Sequence, residues 1–198
     1  MRWPVFLIVA YLVMVLQVGL APHIGFDTRF GRVEPQVVLL LAVFVALSAP
    51  TATTVVACSI LGFLLDLASV YSVVRYNDAG AVIQQSPLVL VGPYTLGYMI
   101  GGYMVVQFRP MLFRQHPMTV AAMMFICGAA VHITVAAIFT ARRFYEPLEG
   151  FTAQAELAKR GMSLLYSAGI GLVLALPLGV LAPYFGFQPV KAGGRQRA

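Results

Sequence analysis

Two ionisable side chains, Asp66 and His132, fall inside long apolar stretches, where an unpaired charge is costly. Either could serve proton transfer or ligand contact. Aspartyl chemistry needs two carboxylates sharing a proton, and no second acid accompanies Asp66 within an apolar stretch. Serine chemistry would recruit Ser59, Ser163 or Ser167 to His132, yet no strained nucleophile turn or oxyanion-hole signature surrounds any of them. Metal and nucleotide chemistry lack their marks too, since no CxxC, HExxH or GxxxxGK run occurs. Cys58 and Cys127 lie within apolar stretches and read as packing residues. The expectation is a chain with no catalytic residue, no cofactor and no metal. For Asp66, in Gly62-Phe63-Leu64-Leu65-Asp66-Leu67-Ala68-Ser69, reaching the interface or capping the following turn weighs as much as a functional role. For His132, a neutral ring bonded to a neighbouring helix is a commoner arrangement than proton relay or ligand contact.

The elements that must position these residues follow from composition. Of the residues 60% are apolar and only 10% charged, and the charges gather in short segments between apolar stretches. That pattern belongs to an integral membrane protein. The fold class expected is all-α, a compact bundle of about six transmembrane helices forming a single membrane-embedded domain over 1–198. The spans run approximately over 3–21, 37–49, 51–68, 88–108, 118–140 and 162–184, with a flexible basic tail at 188–198. The first is not a secretory signal, because it is longer than a typical signal core and Pro22 follows where cleavage would fall. Pro50 alone separates the second and third spans, which predicts a tight helical hairpin. Ser69 to Pro87, rich in tyrosine, glutamine, Asn77 and Asp78, reads as a loop. Thr152 to Arg160 reads as a short helix, at the membrane surface or leading into the sixth span, with Glu156 and Arg160 four apart. Pro93 and Pro177 are expected to kink their helices.

Six spans put both termini on one side, together with Arg2, Arg109, Arg114, Lys191, Arg195 and Arg197. The opposite side holds seven basic residues, Arg29, Arg32, Arg75, Arg142, Arg143, Lys159 and Arg160, and all six acids outside the spans. Basic residues unaccompanied by acids favour a cytoplasmic location for the termini. The net charge of +6 then suits an anionic inner leaflet, and no aromatic-interleaved basic patch calls for nucleic acid. Small residues at four-residue spacing recur as Ala42 and Ala46, Gly97 and Gly101, and Gly171, Ala175 and Gly179. Such rows let helix backbones approach closely, inside the bundle or against a membrane partner.

Three segments resemble the bacterial rod shape-determining protein MreD family. They are Pro35-Gln36-Val37-Val38-Leu39-Leu40 at the start of the second span, Gly62 to Ser69 with Asp66 at the exit of the third, and Pro87-Leu88 followed by Gly97-Tyr98 in the fourth. The chain departs from the family at Val89, where glycine is usual. The resemblance implies a non-enzymatic, multi-pass protein of the bacterial inner (cytoplasmic) membrane, in the cell-elongation machinery that organises peptidoglycan synthesis. It implies binding to an MreC-like scaffold protein, alongside MreB, a RodA-type polymerase and a penicillin-binding transpeptidase, in contact with membrane lipid. Asp66, Gly62, Gly97, Tyr98, Gly101, His132, Gly171, Ala175 and Gly179 are the partner or structural candidates. The alternative is the substrate-binding subunit of an energy-coupling-factor vitamin transporter, also built from six compact helices. In that reading Gln84, Gln85, Tyr94, Tyr98 and His132 would face a ligand.

Overall fold

The computed structural model describes residues 2–29, 31–76, 82–111, 117–143 and 153–181. The protein is mostly helical. Helix α1 (Trp3–Gly19) starts with Pro4 in its first turn, where the missing N–H costs nothing, and a single turn, α2 (Ala21–Ile24), follows. A short antiparallel hairpin of β1 (Phe26–Thr28) and β2 (Gly31–Val33) leads to α3 (Val37–Ser48). Helix α4 (Thr51–Ala68) comes next, with Pro50 at its N-cap, so the expected α3–α4 hairpin forms. Then come strands β3 (Val70–Tyr76) and β4 (Val82–Val89) and helix α5 (Pro93–Phe108), which ends in a 3-10 turn, Arg109–Met111. Helices α6 (Pro117–Arg143) and α7 (Ala153–Leu181) complete the described chain.

Helices α4, α5, α6 and α7 pack each against the next, and α3 touches α1, α4, α5, α6 and α7. That central place explains why nine of its twelve residues are buried. Helices α4 and, within α6, Met118–Arg142 are long and apolar enough to cross a membrane. Helix α3 is not. Twelve residues rise about 18 Å, short of the roughly 30 Å hydrocarbon core of a bilayer.

Several expectations are corrected. Ser69 to Pro87 is no irregular loop, because Val70 to Tyr76 and Val82 to Val89 pair antiparallel from Val70 opposite Val89 to Tyr76 opposite Val82. The β-branched and aromatic residues of Val70-Tyr71-Ser72-Val73-Val74-Arg75-Tyr76 outweigh its turn-forming ones. Leu88 and Val89 accordingly belong to β4, and the fourth helix begins at Pro93 instead. Pro93 therefore starts α5 and does not kink it, as its position in the first turn allows. Ala153 to Arg160 is helical, as expected, and of the two placements foreseen for it the structure has the second: it leads directly into the sixth apolar stretch as the first part of α7. Asn77, Asp78, the segment 144–152 and the basic tail at 188–198 lie outside the described residues.

Candidate functional site

Asp66 is fully buried in the last turn of α4, and both its carboxylate oxygens face the start of α5. Its Oδ2 accepts from the Gly92 N–H at 2.9 Å, the Thr95 N–H at 3.0 Å and the Thr95 hydroxyl at 2.7 Å, and its Oδ1 from the Tyr94 N–H at 2.9 Å. The first N–H groups of a helix have no partner within it, and the helix dipole concentrates positive charge there. Asp66 caps a helix, but across the bundle rather than in its own turn. Gly92, at φ +130°, lies in the region that favours glycine and turns the chain from β4 into the capped helix.

Gly62, one turn before Asp66, permits this approach. A Cβ there would lie 2.6 Å from both the Thr95 Cα and the Tyr94 carbonyl oxygen, and these are backbone atoms that cannot swing aside. Gly97 and Gly101 do the same on the other side of α5, where a Cβ would meet Val131 Cα at 3.1 Å and Cys127 Sγ at 2.8 Å on α6. Gly171 faces Met124, again inside the bundle. Gly62, Gly97, Gly101 and Gly171 are therefore positions of internal packing, and the buried Ala42 and Ala46 join them. Ala175 and Gly179 lie further along the same helix. Tyr98 is wholly buried, and its hydroxyl has no hydrogen-bond partner.

A second polar network, which sequence reading missed, surrounds the segment from Glu34 to Gln36. Gln17, a lone amide in the first apolar stretch, donates from Nε2 to the Pro35 carbonyl at 3.0 Å. Its Oε1 accepts from the Val37 N–H at 2.7 Å, capping α3. Ser163 donates to the Glu34 carbonyl at 2.5 Å, and Ser167 accepts from the Gln36 N–H at 2.8 Å while donating to the Ser163 carbonyl. The signal was present as an isolated Gln17 and a Ser163/Ser167 pair one helical turn apart. Ser59 bonds back to the Val55 carbonyl at 2.8 Å.

Between these two networks lies a cavity of about 460 Å3, lined by Gln36, Tyr94, His132, Lys159, Arg160 and Arg32, with Glu34 beside them. The Arg160 guanidinium donates to the Tyr94 hydroxyl at 3.3 Å, and Arg32 sits 3.7 Å from Glu34 in an exposed ion pair. Arg32 also donates to the Pro22 carbonyl. His132 is 4% exposed, and neither ring nitrogen has a hydrogen-bond partner. The expected bond from His132 to a neighbouring helix is therefore not made. No group of three or more His, Cys, Asp or Glu side chains able to hold a metal gathers among the described residues.

No protein-family model matches the chain, and no curated protein or solved structure matches it significantly.

Proposed function

We propose that this chain is a multi-pass inner-membrane subunit of the bacterial cell-elongation complex, a non-enzymatic scaffold of the MreD kind. It would bind an MreC-like protein and hold the periplasmic and cytoplasmic parts of the wall-synthesis machinery in register. One observation carries the reading: the Gly62 to Ser69 segment, the Pro35-Gln36 segment and the start of the helix that carries Gly97-Tyr98 come together at one end of the bundle. The Gly62 to Ser69 exit clamps the start of the helix that carries Gly97-Tyr98, and the Pro35-Gln36-Val37 segment is held beside them by Gln17, Ser163 and Ser167. Residues that look like family motifs are thus those that fix how the helices meet. The polar side chains of these two networks are taken up by helix ends, which suits a rigid holder of partners better than a mobile catalyst. Six membrane crossings, with the short α3 buried inside protein, complete the proposed topology.

Purification of the tagged protein from its native host in mild detergent, with mass spectrometry of what accompanies it, tests the reading. Recovery of an MreC-like scaffold with a RodA-type polymerase and a penicillin-binding transpeptidase is the expected result. Paired ATPases with a second polytopic subunit would overturn it in favour of an energy-coupling-factor transporter.

A further inference from the structure

We propose that the cavity bounded by the Arg32–Gln36 segment, the end of α4, the start of α5, α6 and α7 is a binding site for a phosphate ester that carries hydroxyl groups. Its volume of about 460 Å3 lies within the range of small-ligand sites, and most of the described side chains that line it are polar. Among the described residues, Arg32, Lys159 and Arg160 line it together with one carboxylate, Glu34, which pairs with Arg32. A surplus of arginine and lysine attracts an anion, and phosphate suits their combined donors. His132 supplies the independent observation. It lines the cavity, is almost wholly buried, and leaves both ring nitrogens without a partner. Buried polar atoms are satisfied in the great majority of cases, so these nitrogens mark a place where a ligand completes the site. The Gln36 Oε1 is also buried and unpartnered, and it can only accept. A phosphodiester or a fully ionised phosphomonoester offers it no proton, and a hydroxyl elsewhere on the ligand supplies the donor. A hydroxyl beside the phosphate answers Gln36 and His132, while the phosphate answers Lys159 and Arg160. The same chemistry occurs in a soluble sugar or glycerol phosphate and in the head group of phosphatidylglycerol. The inference stands apart from the proposed partners, since a scaffold with such a site would sense or retain its ligand.

The full-length protein is placed in phosphatidylcholine nanodiscs, whose head groups lack hydroxyls, and titrated calorimetrically with sn-glycerol 1-phosphate. In parallel, nanodiscs containing phosphatidylglycerol are analysed by native mass spectrometry for retained lipid. Saturable one-to-one binding of glycerol phosphate supports a soluble ligand, and one retained phosphatidylglycerol supports a lipid head group. Binding of neither overturns the proposal. Whichever probe binds, Lys159→Gln should weaken it about tenfold, the scale of one charged hydrogen bond. His132→Leu should weaken it as much while leaving Tm unchanged or higher, because leucine leaves no buried nitrogen unpartnered. Wild-type affinity in both variants would refute the site, as would a His132→Leu protein that loses stability but keeps its affinity.

Discussion

Asp66 draws four hydrogen bonds from one helix start into a fully buried carboxylate, so its removal should act on folding before it acts on any partner. Asp66→Ala leaves three backbone N–H groups and a hydroxyl unsatisfied, a loss on the order of 3 kcal/mol. Asp66→Asn keeps one acceptor oxygen but turns an amide N–H2 toward the remaining donor. Thermal unfolding in mild detergent should therefore rank the proteins wild type, then Asn, then Ala; equal Tm values would reduce Asp66 to a spectator. The prominence of Asp66 was legible in the sequence as a lone acid in an apolar run. Its role was not, because the helix it caps begins 27 residues later, at Pro93, and only the fold brings the two together. Gly62 carries a matching expectation. Gly62→Ala drives a Cβ into the backbone of Thr95 and should cost about 1–3 kcal/mol, whereas Gly169→Ala, with open space around its Cβ, should be neutral or gain up to roughly 1 kcal/mol in helix propensity. Comparing the two Tm shifts separates a packing requirement from a general intolerance of substitution.

Helix ends, rather than helix faces, take up much of the polar chemistry among the described elements. The start of α3 is capped by Gln17, the start of α5 by Asp66, and the end of α3 by Arg109, whose Nη1 donates to the Ala49 carbonyl at 2.7 Å and reaches the Ala46 and Leu47 carbonyls at 3.4 Å. A twelve-residue helix inside an apolar bundle cannot turn to water for these bonds, so side chains from α1 and the end of α5 supply them. A guanidinium also answers the negative end of the α3 dipole. Arg109→Gln should lower stability by about 1–2 kcal/mol, and the loss should show first as faster hydrogen exchange of amides in the last turn of α3. Uniform exchange across the bundle would contradict a local capping role. Apolar runs made the helices readable from sequence, and Pro50 made the α3–α4 hairpin readable. The β3–β4 hairpin was hidden because its tyrosine, glutamine and serine residues resemble loop composition and do not alternate regularly with its valines, so only its β-branched and aromatic content points to strands.

At the scale of the whole molecule, these elements divide the described charges between two ends. One end gathers Arg32, Glu34, Lys159 and Arg160 around the cavity, with Asp66 and the start of α5 beside it; the other gathers Arg109, the end of α3 and the start of α4. The sequence separated the same residues into two sides by counting crossings, even though α3 is too short to cross alone. A helix that reverses direction within the bundle changes ends as surely as one that spans it, so the division into two ends does not depend on α3 crossing a membrane. Placing the termini in the cytoplasm puts the cavity end outside and the Arg109 end inside. The two native cysteines make this testable, since Cys58 and Cys127 are both buried and should stay silent to a membrane-impermeant maleimide. Asp27→Cys, on the exposed β1 strand near the cavity end, should then label in intact cells. Thr51→Cys, exposed at the first turn of α4, should label only after the membrane is opened. The reverse pattern would invert the topology and turn the cavity toward the cytoplasm, where soluble phosphate esters rather than outer-leaflet head groups would be its first ligands to test.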